Sequence, residues 1–204
     1  MVKRKVLDKN HTLIFTPHFP YNTSSKGGNK ALLGVGGNIG DVLRRFEYLL
    51  VYFKRSSLVR VIETAPILKN PPFGYTEQKD FYNSLLLVET RLTPQALLRY
   101  VLRVERLFGR KRSFQDAPRT LDIDIIFYEN VTMDTKKLTL PHQGWMKRSS
   151  VLIPLKYISR HRRSFYEKLF SGFHALGFSL KSEMNRKRSF ASFLEENNKK
   201  VVYD

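Results

Sequence analysis

Residues 117–130 read APRTLDIDIIFYEN, a run of leucine, isoleucine, phenylalanine and tyrosine interrupted by two acids, Asp122 and Asp124. In an extended strand, residues i and i+2 point to the same face, roughly 6.6 Å apart. Leu121, Ile123, Ile125 and Phe127 then share one face, fit to pack on helices, and Asp122 and Asp124 share the other. Two carboxylates side by side repel each other, and partial burial raises that cost. Cationic neighbours or divalent metal must compensate. Adjacent carboxylates hold one or two Mg²⁺ ions, which lie about 3.5–4 Å apart in two-metal sites. A bare D-x-D is common on solvent-facing strands; the apolar flanks here favour the metal reading.

The rest of the chain supplies the sheet and helices around that strand. ALLGVGG (31–37) is a buried strand followed by a turn, and Asp41 caps a helix over residues 42–54. Leu43, Phe46, Leu49, Leu50 and Phe53 form one face of that helix. SLVRVIET (57–64) and FYNSLLLVETRL (81–92) are strands separated by a loop of proline, glycine and polar residues. TPQALLRYVLRVERLFGR (93–110) is the clearest helix, with Thr93 as N-cap, Pro94 at its first position and Gly109 after its last turn. KLTLPH (137–142) is extended, and SSVLIPLKYI (149–158) holds a short helix that breaks near Pro154. From residue 31 the order is β-α-β-β-α-β, an α+β, ferredoxin-like arrangement in which both helices pack on an antiparallel sheet. Residues 31–158 are expected to form one domain. Residues 1–30 are an N-terminal extension whose segment 16–30 reads as loop, and 159–204 a basic, helical C-terminal extension.

Composition narrows the class. The chain has 204 residues, 42% hydrophobic and 13% aromatic, which suits a packed core and argues against general disorder. It has no cysteine, so thiolate metal sites and disulfides are excluded. The basic N-terminus MVKRKVLDKNHTLIF lacks a signal-peptide pattern, and no apolar run approaches the ~20 residues of a membrane helix. A soluble, cytoplasmic protein is expected. The net charge of +18 favours anionic partners, but it is spread along the whole chain, which weakens a single-patch reading.

The glycines of LLGVGGNIGD do not make a dinucleotide fingerprint, because the sixth position counted from Gly34 is Ile39. Alone they mark a tight β-to-α turn. The basic residues are more informative: Arg110, Lys111, Arg112 and Arg119 lead directly into the acidic strand. Guanidinium forks match phosphate oxygens, so a metal-bound polyphosphate fits between them and the acids. His142, after a short strand, and Arg148, six residues on, are further donors for phosphate oxygens.

With these pieces in place the sequence resembles the 6-hydroxymethyl-7,8-dihydropterin pyrophosphokinases of folate biosynthesis, from about residue 31 to 155. APRTLDIDIIFY is the strongest element, and GGNIGD, ETAPI, DFYNSLLLVET, LPH and the R-x-R at 110–112 follow the family's order. The resemblance implies transfer of the terminal diphosphate of ATP to the pterin hydroxymethyl group, with release of AMP. It implies that Asp122 and Asp124 ligate two Mg²⁺ ions, and that Arg110, Arg112 and Arg119 surround the triphosphate. Further ATP contacts would come from His142 and Arg148, with Glu105, Ile125, Lys137 and Thr139 at the nucleotide pocket. The pterin would be held by Thr64, Ile67 and Asn83, partly through backbone groups, with Phe81 stacking and Gly36 and Asn38 in the loop beneath. The family's second stacking aromatic aligns with Ser150, and Trp145 is the nearby ring to replace it; Phe114 is the sole aromatic of the 110–119 loop. Arginine-rich loops must open to admit MgATP, so residues 109–118 and 68–80 are expected to be mobile without ligand.

Two rivals remain at this point. A palm-like nucleotidyltransferase also sets paired aspartates on such a sheet, but leaves ETAPI and DFYN unexplained. An RNA-binding module would want aromatics on the sheet face, where this chain has acids. No membrane and no specific nucleic-acid partner are expected, and the chain is read as a monomer.

Overall fold

The computed structural model describes residues 1–111, 114 and 116–158. The C-terminal extension and Arg112 lie outside the described residues. Among the described residues, ten strands and three α-helices follow in the order β1 (Lys3–Val6), β2 (Thr12–Phe15), β3 (Tyr21–Asn22), β4 (Asn29–Gly37), α1 (Val42–Lys54), β5 (Val59–Thr64), β6 (Ile67–Asn70), β7 (Phe81–Thr90), α2 (Pro94–Leu107), β8 (Asp122–Tyr128), β9 (Met133–Asp134), β10 (Thr139–Leu140) and α3 (Ser149–Leu155).

Four of these strands make the ferredoxin-like centre. β4 lies between β7 and β8, all antiparallel, and β7 pairs on its far side with β5. β8 is therefore an edge strand. Both long helices start as their caps dictate: the Asp41 side chain accepts from the Arg44 amide, and Thr93 accepts from Ala96 with Pro94 in the first turn. Phe46, Leu49, Leu50 and Phe53 of α1 and Leu97, Val101 and Val104 of α2 bury against Leu33, Val35, Ile123 and Ile125. The opposite face packs on α3, through Leu152 and Leu155 against Leu85, Leu87 and Phe127.

The sheet is wider than the sequence predicts. Residues between β5 and β7, expected as loop, include β6, which pairs with the first part of β7 just beyond β5. β2 pairs with β6 and β1 with β2, while β3 pairs with β5. The expected loop 16–30 thus contains one strand and the start of another. Side chains pin it: Thr64 Oγ1 donates to the His18 carbonyl and accepts from the Tyr21 amide, both at 2.8 Å. Glu47 on α1 takes hydrogen bonds from Thr16 and His18, each 2.6 Å.

The alternation expected along the acidic strand also changes partway. Leu32 pairs with Phe127 but Leu33 with Ile125, so Ile126 is the extra residue of a β-bulge. Ile123 and Ile125 face the helices as expected, whereas Ile126 and Phe127 both join the core on the α3 side. Phe127 consequently meets Trp145 edge to face at 4.8 Å.

Glu89, near the end of β7, is the buried anchor of the N-terminal loop. Its carboxylate accepts from the Ser25 hydroxyl and from the Lys26 and Gly27 amides at 3.0 and 3.4 Å, with Arg60 at 3.5 Å. Burial raises its pKa, but these donors and Arg60 outweigh burial and leave it below the ordinary 4.5. Because the folded value is the lower one, the stabilisation is full above pH 4.5 and is lost as pH falls through the folded value. Glu89→Gln is therefore expected to cost about 1–3 kcal/mol at pH 7. In urea titrations its deficit should shrink as pH drops below 4.5; a deficit independent of pH contradicts this account.

Candidate active site

The acids of β8 stand on the face opposite α1 and α2, in register with glycines. Asp122 pairs with Gly36 and Asp124 with Gly34, and Gly36 pairs on its other side with Asn83. These glycines lie within strand β4, as the reading of residues 31–37 as a strand expects, and the turn into α1 follows them. A Cβ on Gly36 would stand 2.6 Å from Asn83 Oδ1, and one on Gly37 would collide with the Thr120 carbonyl. Gly36 carries no side chain between Asn83 and Asp122, which stand two strand spacings, about 10 Å, apart; the row is a trough across which the Asn83 amide reaches, its Oδ1 lying over the glycine.

Each acid has its own cations. Asp122 Oδ2 accepts from Arg119 Nη1 at 2.6 Å, and its other oxygen pairs with Arg110. Arg110 also pairs with Glu105 of α2, whose carboxylate takes the outward amide of Ile123 at 2.8 Å. Burial, with a smaller push from the Asp122 charge, lifts Glu105 to about 7 against the pull of Arg110 and that amide. Asp124 Oδ2 lies 3.7 Å from Arg148 Nη1 and 3.9 Å from His142 Nε2. Burial and then the Asp122 charge raise the Asp124 pKa, opposed by His142, Arg148 and Arg110.

The donor set fits a hard divalent cation. It consists of carboxylate oxygens at i and i+2, and the raised Asp124 marks a place where a second negative charge is disfavoured without a cation. No cluster of three or more His, Cys, Asp or Glu side chains that could hold a metal occurs among the described residues. Phosphate oxygens and water would complete the coordination, as Mg²⁺ commonly requires. His142 Nδ1 is buried with no hydrogen-bond partner among the described residues, while its amide donates to the Ile126 carbonyl at 2.9 Å.

On the other side of the trough, Arg119 extends over the Phe81 ring, Cζ 5.5 Å from the centroid. Asn38 is buried; its side chain donates to Gln78 Oε1 at 2.8 Å and the Lys79 carbonyl at 3.1 Å, and accepts the Arg119 amide at 2.9 Å. Asn83 donates to Asn70 Oδ1 at 2.8 Å, and Gln78 donates to the Asp116 carbonyl at 3.0 Å. Asn70, Gln78 and Asp116 were not singled out from sequence; an asparagine directly before Pro71-Pro72 was the available signal for the first.

Several other residues named from sequence direct their side chains elsewhere. The side chains of Ile67 and Ile125 are in the helix-side core, and that of Thr64 is buried and engaged by the N-terminal segment. Thr139 donates to Asp134 at 2.8 Å, Lys137 is exposed in the preceding turn, and neither contacts the carboxylates among the described residues. Trp145 does not supply a second stacking ring: it is 4% exposed and seated on Phe127. Ser150 stands in the first turn of α3, and Phe114 is exposed with its ring 5.5 Å from Tyr75.

Paired acids backed by guanidinium groups on an antiparallel ferredoxin-like sheet define a face for a metal-bound polyphosphate. Comparison with known proteins narrows that class. Residues 32–160 match the model of the 7,8-dihydro-6-hydroxymethylpterin-pyrophosphokinase family. The chain is 45% identical over 129 residues to 2-amino-4-hydroxy-6-hydroxymethyldihydropteridine pyrophosphokinase of Helicobacter pylori, covering 62% of this chain and 79% of that protein. The protein of the same name from Campylobacter jejuni is 39% identical over 144 residues, 71% of this chain and 91% of its own length. The chain belongs to this family. It is an ATP-dependent pyrophosphokinase of folate biosynthesis with hydroxymethyldihydropterin as the acceptor, and the comparisons support neither the nucleotidyltransferase nor the RNA-binding reading.

Because the Thr120 carbonyl blocks any side chain at position 37, Gly37→Ala is expected to cost about 1–3 kcal/mol of stability. Thermal unfolding measures it; an unchanged midpoint would mean that β4 and residue 120 are not so close.

Proposed function

We propose that Asp122 and Asp124 hold two Mg²⁺ ions that carry the ATP triphosphate, with the dihydropterin in the glycine-floored trough beside them. The observation that carries this reading is the placement of both carboxylates on one face, each with guanidinium partners arriving from other segments. Arg110 and Arg119 approach the triphosphate from the side of β8's start, and His142 and Arg148 from beyond its end; Arg112 joins them on the strength of its place in the R-x-R motif. Phe81 stacks on the pterin, Asn83 and Asn38 bind its polar edge, and Gly36 makes room for it. The nucleotide pocket draws on Glu105, Lys137, Thr139 and the strand at Ile125, and the pterin wall on Thr64 and Ile67 through their backbone.

The hydroxymethyl oxygen attacks the β-phosphorus of ATP, the bond to the α–β bridging oxygen breaks, and AMP leaves. Mg²⁺ held by Asp122 and Asp124 would lower the hydroxyl pKa and neutralise charge on the phosphates. The chain's own residues position and stabilise. Arg119, which touches both Asp122 and the Phe81 ring, lies between the two substrates and can hold the transferring group against the acceptor. Arg110, balanced between Glu105 and Asp122, is already aimed at the place where charge develops. The domain acts as a monomer in the cytoplasm on this reading.

Incubation with ATP, Mg²⁺ and the dihydropterin should yield one AMP per pterin consumed; ADP in its place contradicts the reaction. Asp122→Asn and Asp124→Asn should each reduce turnover by on the order of 10³-fold while the chain stays folded by circular dichroism. A variant retaining most of its activity would remove that carboxylate from the metal site.

A further inference from the structure

The segment before the family-matched region reaches the active site from behind, through α3. His11 is 8% exposed and lies directly before β2. Its Nδ1 is 3.0 Å from both oxygens of Asp8, which also accepts the Asn10 and His11 amides at 2.8 and 2.9 Å. Burial raises the Asp8 pKa, but these hydrogen bonds and the imidazole together bring it below its ordinary value. On its far side, His11 Nε2 meets Ser149 Oγ at 3.2 Å, across 138 residues of chain. Ser149 is the first residue of α3 and directly follows Arg148, the guanidinium 3.7 Å from Asp124.

Apolar contacts hold α3 and the residues just after it to the same strand. Leu13 buries with Leu68 and Ile153, and Phe15 meets Tyr157 edge to face at 6.3 Å. Arg148 is the N-cap residue of α3, but its side chain makes no capping hydrogen bond to the helix, and 41% of that side chain is exposed. A long, half-exposed side chain loses conformational entropy when it is held over a carboxylate. Where its backbone is fixed from the next residue, fewer arrangements compete with the useful one. The geometry suits orientation.

We propose that His11 is a positioning residue for the pyrophosphokinase reaction: held by Asp8, it fixes Ser149 and so keeps Arg148 over Asp124 at the triphosphate side of the site. This rests on the reading of Arg148 as a phosphate contact. It gives the N-terminal segment a part in binding ATP, beyond widening the sheet.

Steady-state kinetics on the full chain test it. His11→Ala is expected to raise KM for ATP about fivefold, with kcat and KM for the dihydropterin each within about twofold of the native values. His11→Gln, whose amide reaches the Nε2 position, should restore most of the ATP KM. Ser149→Ala removes the other end of the contact while favouring helix, and should reproduce the effect even if His11→Ala does not fold. Arg148→Ala reports on the underlying reading, and the double variant His11→Ala/Arg148→Ala should be no worse for ATP than Arg148→Ala alone. If the two effects multiply, His11 does not act through Arg148 and the proposal fails while the role of Arg148 stands. If Arg148→Ala leaves KM for ATP unchanged, the reading of Arg148 fails and takes the proposal with it. Native KM values in both Ser149→Ala and a folded His11→Ala overturn it directly.

Discussion

Two carboxylates one residue apart on the same face of an edge strand repel each other, and the surrounding structure is organised around that repulsion. Asp122 is met by Arg110 and Arg119, and Asp124 by Arg148 and His142. These groups come from the end of α2, the loop into β8, the segment after β10 and the head of α3. A pair of acids that needs four donors to be tolerated is costly as structure alone. It becomes useful when a metal-bound polyphosphate arrives, because the cations already present then face phosphate oxygens as well as carboxylates.

The neighbouring trough has the complementary requirement of space. Gly36 sits between Asn83 and Asp122 in one row across three strands, and Gly37 closes on the Thr120 carbonyl at the head of β8. Arg119 joins the two regions, since its amide is held by Asn38, its guanidinium reaches Asp122, and its plane lies over Phe81. Outside this shared core, the N-terminal strands extend the sheet beyond β6 and brace α3, so the wall carrying Arg148 is supported from both sides.

The chemistry was legible in the sequence where it depends on neighbours along the chain. The i, i+2 rule put Asp122 and Asp124 on one face, and the caps Asp41 and Thr93 started both helices where they stand. What escaped the sequence depends on distant partners. β6 is four residues hemmed by Pro66 and Pro71, and it is a strand because β2 and β7 lie on either side of it. β1 is KRKV, exposed throughout, with no alternation to betray it. The bulge at Ile126 carries no glycine or proline signal, so the expected face of Phe127 was reversed and Trp145 was assigned to a ligand when it belongs to the core. The twofold pairing of Arg110 is likewise invisible until α2 and β8 are side by side.

The central claim is that the β8 carboxylates bind nucleotide through metal, and calorimetry with the non-transferable analogue α,β-methylene-ATP addresses it most directly. The native chain should bind the analogue with Mg²⁺ present and lose about tenfold or more in affinity, ~1.4 kcal/mol, when Mg²⁺ is removed. Asp124→Asn should show that weaker affinity with or without the metal. Equal affinities for the native chain in both conditions would contradict the account.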